Sequence, residues 1–125
     1  MAYNVNTLSL NGISNYGMLN STKVSGTDKT ISFEVNTANT KDPLFFIIDL
    51  SAVFVGVKIN VLNTKGEIIN SASLSPGAVN IFTATTFGCV ENGKMAMEFE
   101  CIDGNFASDM KISVSAFSHI PVINH

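Results

Sequence analysis

The chain has no tryptophan and no arginine, and only 14% of its 125 residues are charged. Each shortage excludes something. Nucleic-acid binding needs clustered lysine and arginine to neutralise phosphates. Here seven lysines stand singly between Lys23 and Lys111, and the net charge is −3. Nucleic acid is therefore set aside as a partner. Long apolar runs are also missing. The stretches at 44–48 and 52–57 fall far short of the roughly 20 residues that a bilayer-spanning helix needs. Residues 1–12 carry no basic residue and no apolar core, so they do not read as a secretory signal, and synthesis in the cytoplasm is expected. Cysteine is sparse too. Cys89 and Cys101 are expected to be reduced in a cytosolic product, with a disulfide across a hairpin as the alternative. No histidine lies near them, so they do not form a zinc site.

What is present is apolar residues at 46%, with Asn, Ser and Thr supplying most of the polarity. Those are turn and strand residues more than helix residues. A chain of this length fits one domain and buries enough surface to fold without staples. The repeating signal is period-2 alternation, the mark of a strand with one face on a core. At 30–37, Ile31, Phe33 and Val35 share a face. At 55–63, Val55, Val57, Ile59 and Val61 do so, with Lys58 and Asn60 opposite. At 94–102, Met95, Met97, Phe99 and Cys101 point one way and Glu98 and Glu100 the other. At 110–118, Met110, Ile112, Val114 and Ala116 point inward. Residues 44–50 are apolar on both phases, which predicts a central strand buried on both sides or covered by a loop.

Turn signals punctuate the chain: Asn11-Gly12, Ser25-Gly26, Asp42-Pro43, Lys65-Gly66, Pro76-Gly77, Asn92-Gly93 and Asp103-Gly104. Asn-Gly and Asp-Gly favour the positive φ of tight hairpins. Asn92-Gly93 is expected to open the strand at 94, and Asp103-Gly104 to join the last two strands as antiparallel neighbours. The prediction is a single all-β domain over 1–125, an antiparallel β-sandwich of immunoglobulin-like or jelly-roll type with eight or nine short strands. Residues 1–12 and 120–125 read as arms, the first also as an edge strand.

Catalytic constellations are hard to find. Nucleophilic catalysis needs a base beside Ser or Cys. The two histidines, His119 and His125, both lie at the C-terminal end. Glu98, Glu100 and Asp103 fall on the outward phase of one strand and its turn, a spacing that could serve glycoside hydrolysis or a weak calcium site. A solvated face is the favoured reading, because no tryptophan accompanies them and the tyrosines are Tyr3 and Tyr16. No glycine falls in a phosphate-loop pattern. The chain is read as non-enzymatic, with no cofactor and no metal. Met95, Met97 and Met110 read as core filler. Phe87 and Phe106 fall in or beside loops, where an aromatic either anchors a partner or folds back as a lid on the open end of the sandwich. With Tyr3, Val5 and Tyr16 they form the set of partner-contact candidates.

The stretch from 41 to 100 resembles the small capsid decoration, or head auxiliary, proteins of tailed bacteriophages. The resemblance rests on the strands at 44–50 and 55–63, the turn at Gly66, the Pro76-Gly77 break, the strand at 79–82, the Phe87-Gly88 corner and the Asn92-Gly93 turn. It implies a structural virion protein that binds the outer surface of a capsid lattice and stabilises it. Its partners would be the major capsid protein or another virion protein, and it would dock as a monomer or as a homo-trimer at a local three-fold. The alternatives are a phage tail or fibre component, or a β-sandwich module binding a carbohydrate or cell surface.

Overall fold

The computed structural model describes residues 6–8, 18–25, 29–37, 41–107 and 110–117. Among them are ten strands and no helix: β1 (Asn6–Leu8), β2 (Met18–Ser25), β3 (Thr30–Asn36), β4 (Leu44–Asp49), β5 (Val57–Leu62), β6 (Ile68–Leu74), β7 (Val79–Ala84), β8 (Val90–Glu91), β9 (Lys94–Cys101) and β10 (Lys111–Phe117). Eight have six residues or more, so the expected number of principal strands is met. The strands form two sheets. One runs β1-β3-β9-β5-β6, with β8 added on β9; the other runs β2-β10-β4-β7. Every pairing is antiparallel except the parallel pair β1–β3. The molecule is the expected β-sandwich, and β1 is an edge strand.

The alternating residues fill the space between the sheets, as their period requires. Phe33 and Phe99 stack with centroids 4.9 Å apart, and Phe46 meets its register partner Phe82 at 6.2 Å. Met95, Met97 and Met110 are buried among them.

Two expectations need correction. First, β9 and β10 are not neighbours; they lie in different sheets. The chain leaves the first sheet after Cys101 and joins the second at Lys111, and Phe106 and Met110 between them are buried. Both strands do bury one apolar phase, but they bury it from opposite sides of the core. Second, β4 is central, between β10 and β7, yet it is not buried on both faces. Phe45 is half-buried and Ile47 is 39% exposed on its outer side. The expectation of reduced thiols holds: Cys89 and Cys101 are both buried and free. Cys89 lies beside the start of β8, where β8 and β9 pair Val90 with Met95. Cys101 lies at the far end of β9, roughly 16 Å along the strand. A disulfide needs Cα atoms within about 7 Å, so no bridge across the hairpin forms.

Candidate functional site

One end of the sandwich gathers three turns, and the cause is a change of partner along β9. β5 pairs with Met97–Cys101 of β9. Its register with β6 then breaks between Val61 and Leu62. β8 takes its place, opposing Glu91 to Lys94 and Val90 to Met95. The handover leaves a cleft of about 510 Å³ between the β5–β6 turn and the β8–β9 hairpin. Polar side chains line it, Glu34, Asn63, Glu91, Asn92 and Lys94 among them, with Ala96 and Cys89 beneath.

Asn63 builds the first turn. Its Oδ1 accepts from the backbone N–H of Lys65 and of Glu67, each at 2.9 Å, and its Nδ2 donates to Glu67 Oε1 at 2.9 Å. Asparagine suits this role because its short amide can mimic backbone. The neighbouring Thr64 N–H donates to the carbonyl of Gly88 at 3.3 Å and ties the 85–89 loop to the turn. Within that loop, Cys89 N–H donates to Thr86 C=O at 3.1 Å and Phe87 N–H to Thr85 Oγ1 at 3.2 Å. Gly88 takes a φ of 75°, which a larger residue adopts at a cost. Burial pushes the Cys89 thiol above its ordinary pKa, so it stays a neutral hydrophobe under the loop. The result is a pinned backbone that presents the Phe87 ring 89% exposed beside the cleft.

The candidates from the sequence divide. Phe87 is presented. Phe106 is 3% exposed and belongs to the core, so its ring is not offered to a partner. Tyr3, Val5 and Tyr16 lie outside the described residues, as do His119 and His125. Glu98 and Glu100 share the outer face of the first sheet, but both are engaged. Asn60, fully buried, donates from Nδ2 to Glu98 Oε2 at 2.8 Å and to Glu100 Oε1 at 3.0 Å, and accepts from Ser71 Oγ at 2.6 Å. Lys58 stands 3.6 Å from Glu100. The Asn60 bond first, and Lys58 after it, hold the Glu100 carboxyl below the usual range. A glycosidase acid needs the opposite shift. Among the described residues no three of His, Cys, Asp and Glu converge to hold a metal, so Asp103 does not join the pair as a ligand set.

Other exposed apolar residues were not singled out from the sequence. Phe54 stands out from the β4–β5 connection, and Val79 and Ile81 stand out from β7. The two on β7 could have been found, since they alternate with inward Phe82 and Ala84.

No family model matches the chain, and no curated protein matches it. Solved structures do. The pre-peptidase C-terminal domain of a Bacillus anthracis collagenase aligns over 93% of this chain and 97% of its own length, with TM-score 0.53 and 15% identity. PliG of Aeromonas hydrophila, a periplasmic inhibitor of g-type lysozyme, aligns over 93% and 98%, with TM-score 0.51 and 13% identity. Pseudomonas aeruginosa AlgX has TM-score 0.55 and 11% identity, and this chain matches 28% of its length. At such identities the likeness establishes the fold and nothing finer: the chain is a small two-sheet β-sandwich domain.

Proposed function

We propose that the chain is a non-enzymatic binding module that docks on another protein, and that its setting is the outer surface of a phage capsid. The observation that carries docking is Phe87. An aromatic side chain almost wholly in water loses hydration cost when a partner covers it, and aromatic anchors dominate interface energies. Its loop is already pinned, so little ordering entropy opposes binding. The engagement of Glu98 and Glu100 by Asn60 supports a non-catalytic reading. The lysozyme inhibitor from Aeromonas hydrophila supports the principle that a sandwich of this size can act by docking on a protein. The capsid setting rests on the sequence resemblance. On a lattice, many weak identical contacts would add through avidity.

The experiment is purification of particles from the culture that makes the chain. Gradient-purified particles are expected to carry it in a fixed ratio to the major capsid protein. Its absence from them overturns the setting. The polar cleft beside Phe87 favours one second reading, a glycan ligand. Binding on a glycan array that is lost in a Phe87→Ala variant would establish it in place of the capsid.

A further inference from the structure

The ends of the two sheets differ in how they are guarded. Natural sheet edges avoid pairing with other chains by being short, charged, bulged or capped with proline. β1 has three residues. β2 contains Lys23. β6 carries a bulge, because Leu62 pairs with Ile68 and Val61 with Asn70, which leaves Ile69 without a register partner. β7 has none of these devices. Its six residues, Val-Asn-Ile-Phe-Thr-Ala, hold no charge and no proline, and its register with β4 runs unbroken from Asp49–Val79 to Leu44–Ala84. It ends its sheet among the described residues.

The ladder shows which backbone groups this edge leaves open. Leu50 N–H donates to Ala78 C=O at 2.9 Å. Antiparallel bonding alternates by two residues, so Asn80, Phe82 and Ala84 bond to β4. The N–H and C=O of Val79, Ile81 and Thr83 therefore face away from it. The same three residues point to the outer face, where Val79 is 61% and Ile81 77% exposed. Ile47 lies directly beside Ile81 on β4.

We infer that β7 is a self-pairing edge: two copies of this chain join antiparallel along β7 about a two-fold axis at Ile81, merging their four-stranded sheets into one. The occupant is a second copy because the strand is its own complement. With Ile81 opposite its mate, Val79 meets Thr83 and Thr83 meets Val79, and every outward N–H faces an outward C=O. No charge opposes a like charge across the seam. The nearest acidic groups, Asp49 and its mate, stand about 20 Å apart, beyond a Debye length of roughly 8 Å. The apolar row Ile47–Ile81 becomes continuous across the axis and covers the most exposed residue of the strand. Six residues of edge bury less than the roughly 1,200–2,000 Å² of a specific stable interface, so the dimer is a weak one with micromolar dissociation.

Sedimentation of the full chain from micromolar to millimolar concentration tests this, together with two cysteine variants. The wild type is expected to shift reversibly from monomer to dimer. Ile81→Lys is expected to stay monomeric with an unchanged circular dichroism spectrum, while Ile69→Lys, on the bulged edge, dimerises as the wild type does. Ile81→Cys is expected to form a covalent dimer on mild oxidation, since opposed Cα atoms in such a pair lie about 5.5 Å apart. Thr83→Cys is not, because its mate lies about 13 Å away. The native cysteines are buried and stay out of this reaction. A wild type that remains monomeric at millimolar concentration, a trimer, or a dimer that survives Ile81→Lys would overturn the inference. Equal cross-linking by the two cysteine variants would do the same, and that arm decides the matter even if Ile81→Lys fails to fold.

Discussion

Asn60 is fully buried on the outward phase of β5, with Glu98 opposite on one side and Ser71 on the other. Its amide separates two carboxylates that would otherwise repel, and both of its donors are used. Asn60→Ala is expected to cost about 2 kcal/mol in urea unfolding, since bonds to charged acceptors are worth about 1.5–3 kcal/mol each and the freed carboxylates recover part of that from water. The pH dependence has a definite sign. Glu100 is held below its ordinary value, so its contribution is complete above about pH 4.3 and is lost as pH falls through the lower folded value. Asp49, held down by the Ser51 N–H at 2.9 Å, acts in the same direction. Asn60→Asp reverses the local trend: a third carboxyl among two takes up a proton on folding, so this variant is expected to regain stability over the wild type as pH drops from 7 toward 4. A constant difference between the two across that range would contradict the bridging role. The outward phase of Glu98 and Glu100 was legible in the sequence. The bridge was not, because it depends on which residue of another strand stands opposite, and alternation is blind to register.

At the scale of elements, the Asn92-Gly93 turn shows when a local signal suffices. Asn92 has φ 56° and Gly93 φ 75°, both in the left-handed region that closes a two-residue hairpin. The Gly93 carbonyl also accepts from Thr37 N–H at 2.8 Å and Thr37 Oγ1 at 3.1 Å, which satisfies a buried threonine. Gly93→Ala is expected to cost about 1–2 kcal/mol, the left-handed penalty of an L-residue, and to lower the urea midpoint without changing its slope. An unchanged midpoint would show that the turn relaxes freely. Asp103-Gly104 carries a similar signal, and Gly104 has φ 96°, yet it starts a crossing between sheets. The difference lies downstream: residues 105–110 include Phe106 and Met110, which need burial, and a tight hairpin would leave them in water. β2 is not legible in the sequence because Met-Leu-Asn-Ser-Thr-Lys-Val-Ser has no sustained alternation. Its place is set by pairing with β10.

For the whole molecule, the sandwich presents surfaces of different character. The inner faces hold the core, the outer face of the first sheet holds the Asn60 network, and β7 ends its sheet with no further strand paired to it among the described residues. The end beside the β8–β9 hairpin presents Phe87 next to a polar cleft. Most of this frame follows from the spacing of apolar residues, whereas the cleft follows from the exchange of β5 for β8 along β9, which no local pattern announces. The central claim is that Phe87 docks the module on a particle. Its most direct measurement is the binding of purified wild type and Phe87→Ala to particles stripped of the protein. The account predicts unchanged stability and a binding loss of about 30-fold or more, equivalent to the roughly 2 kcal/mol that defines an anchor residue. Equal binding by the two proteins, or no binding by the wild type, would contradict it.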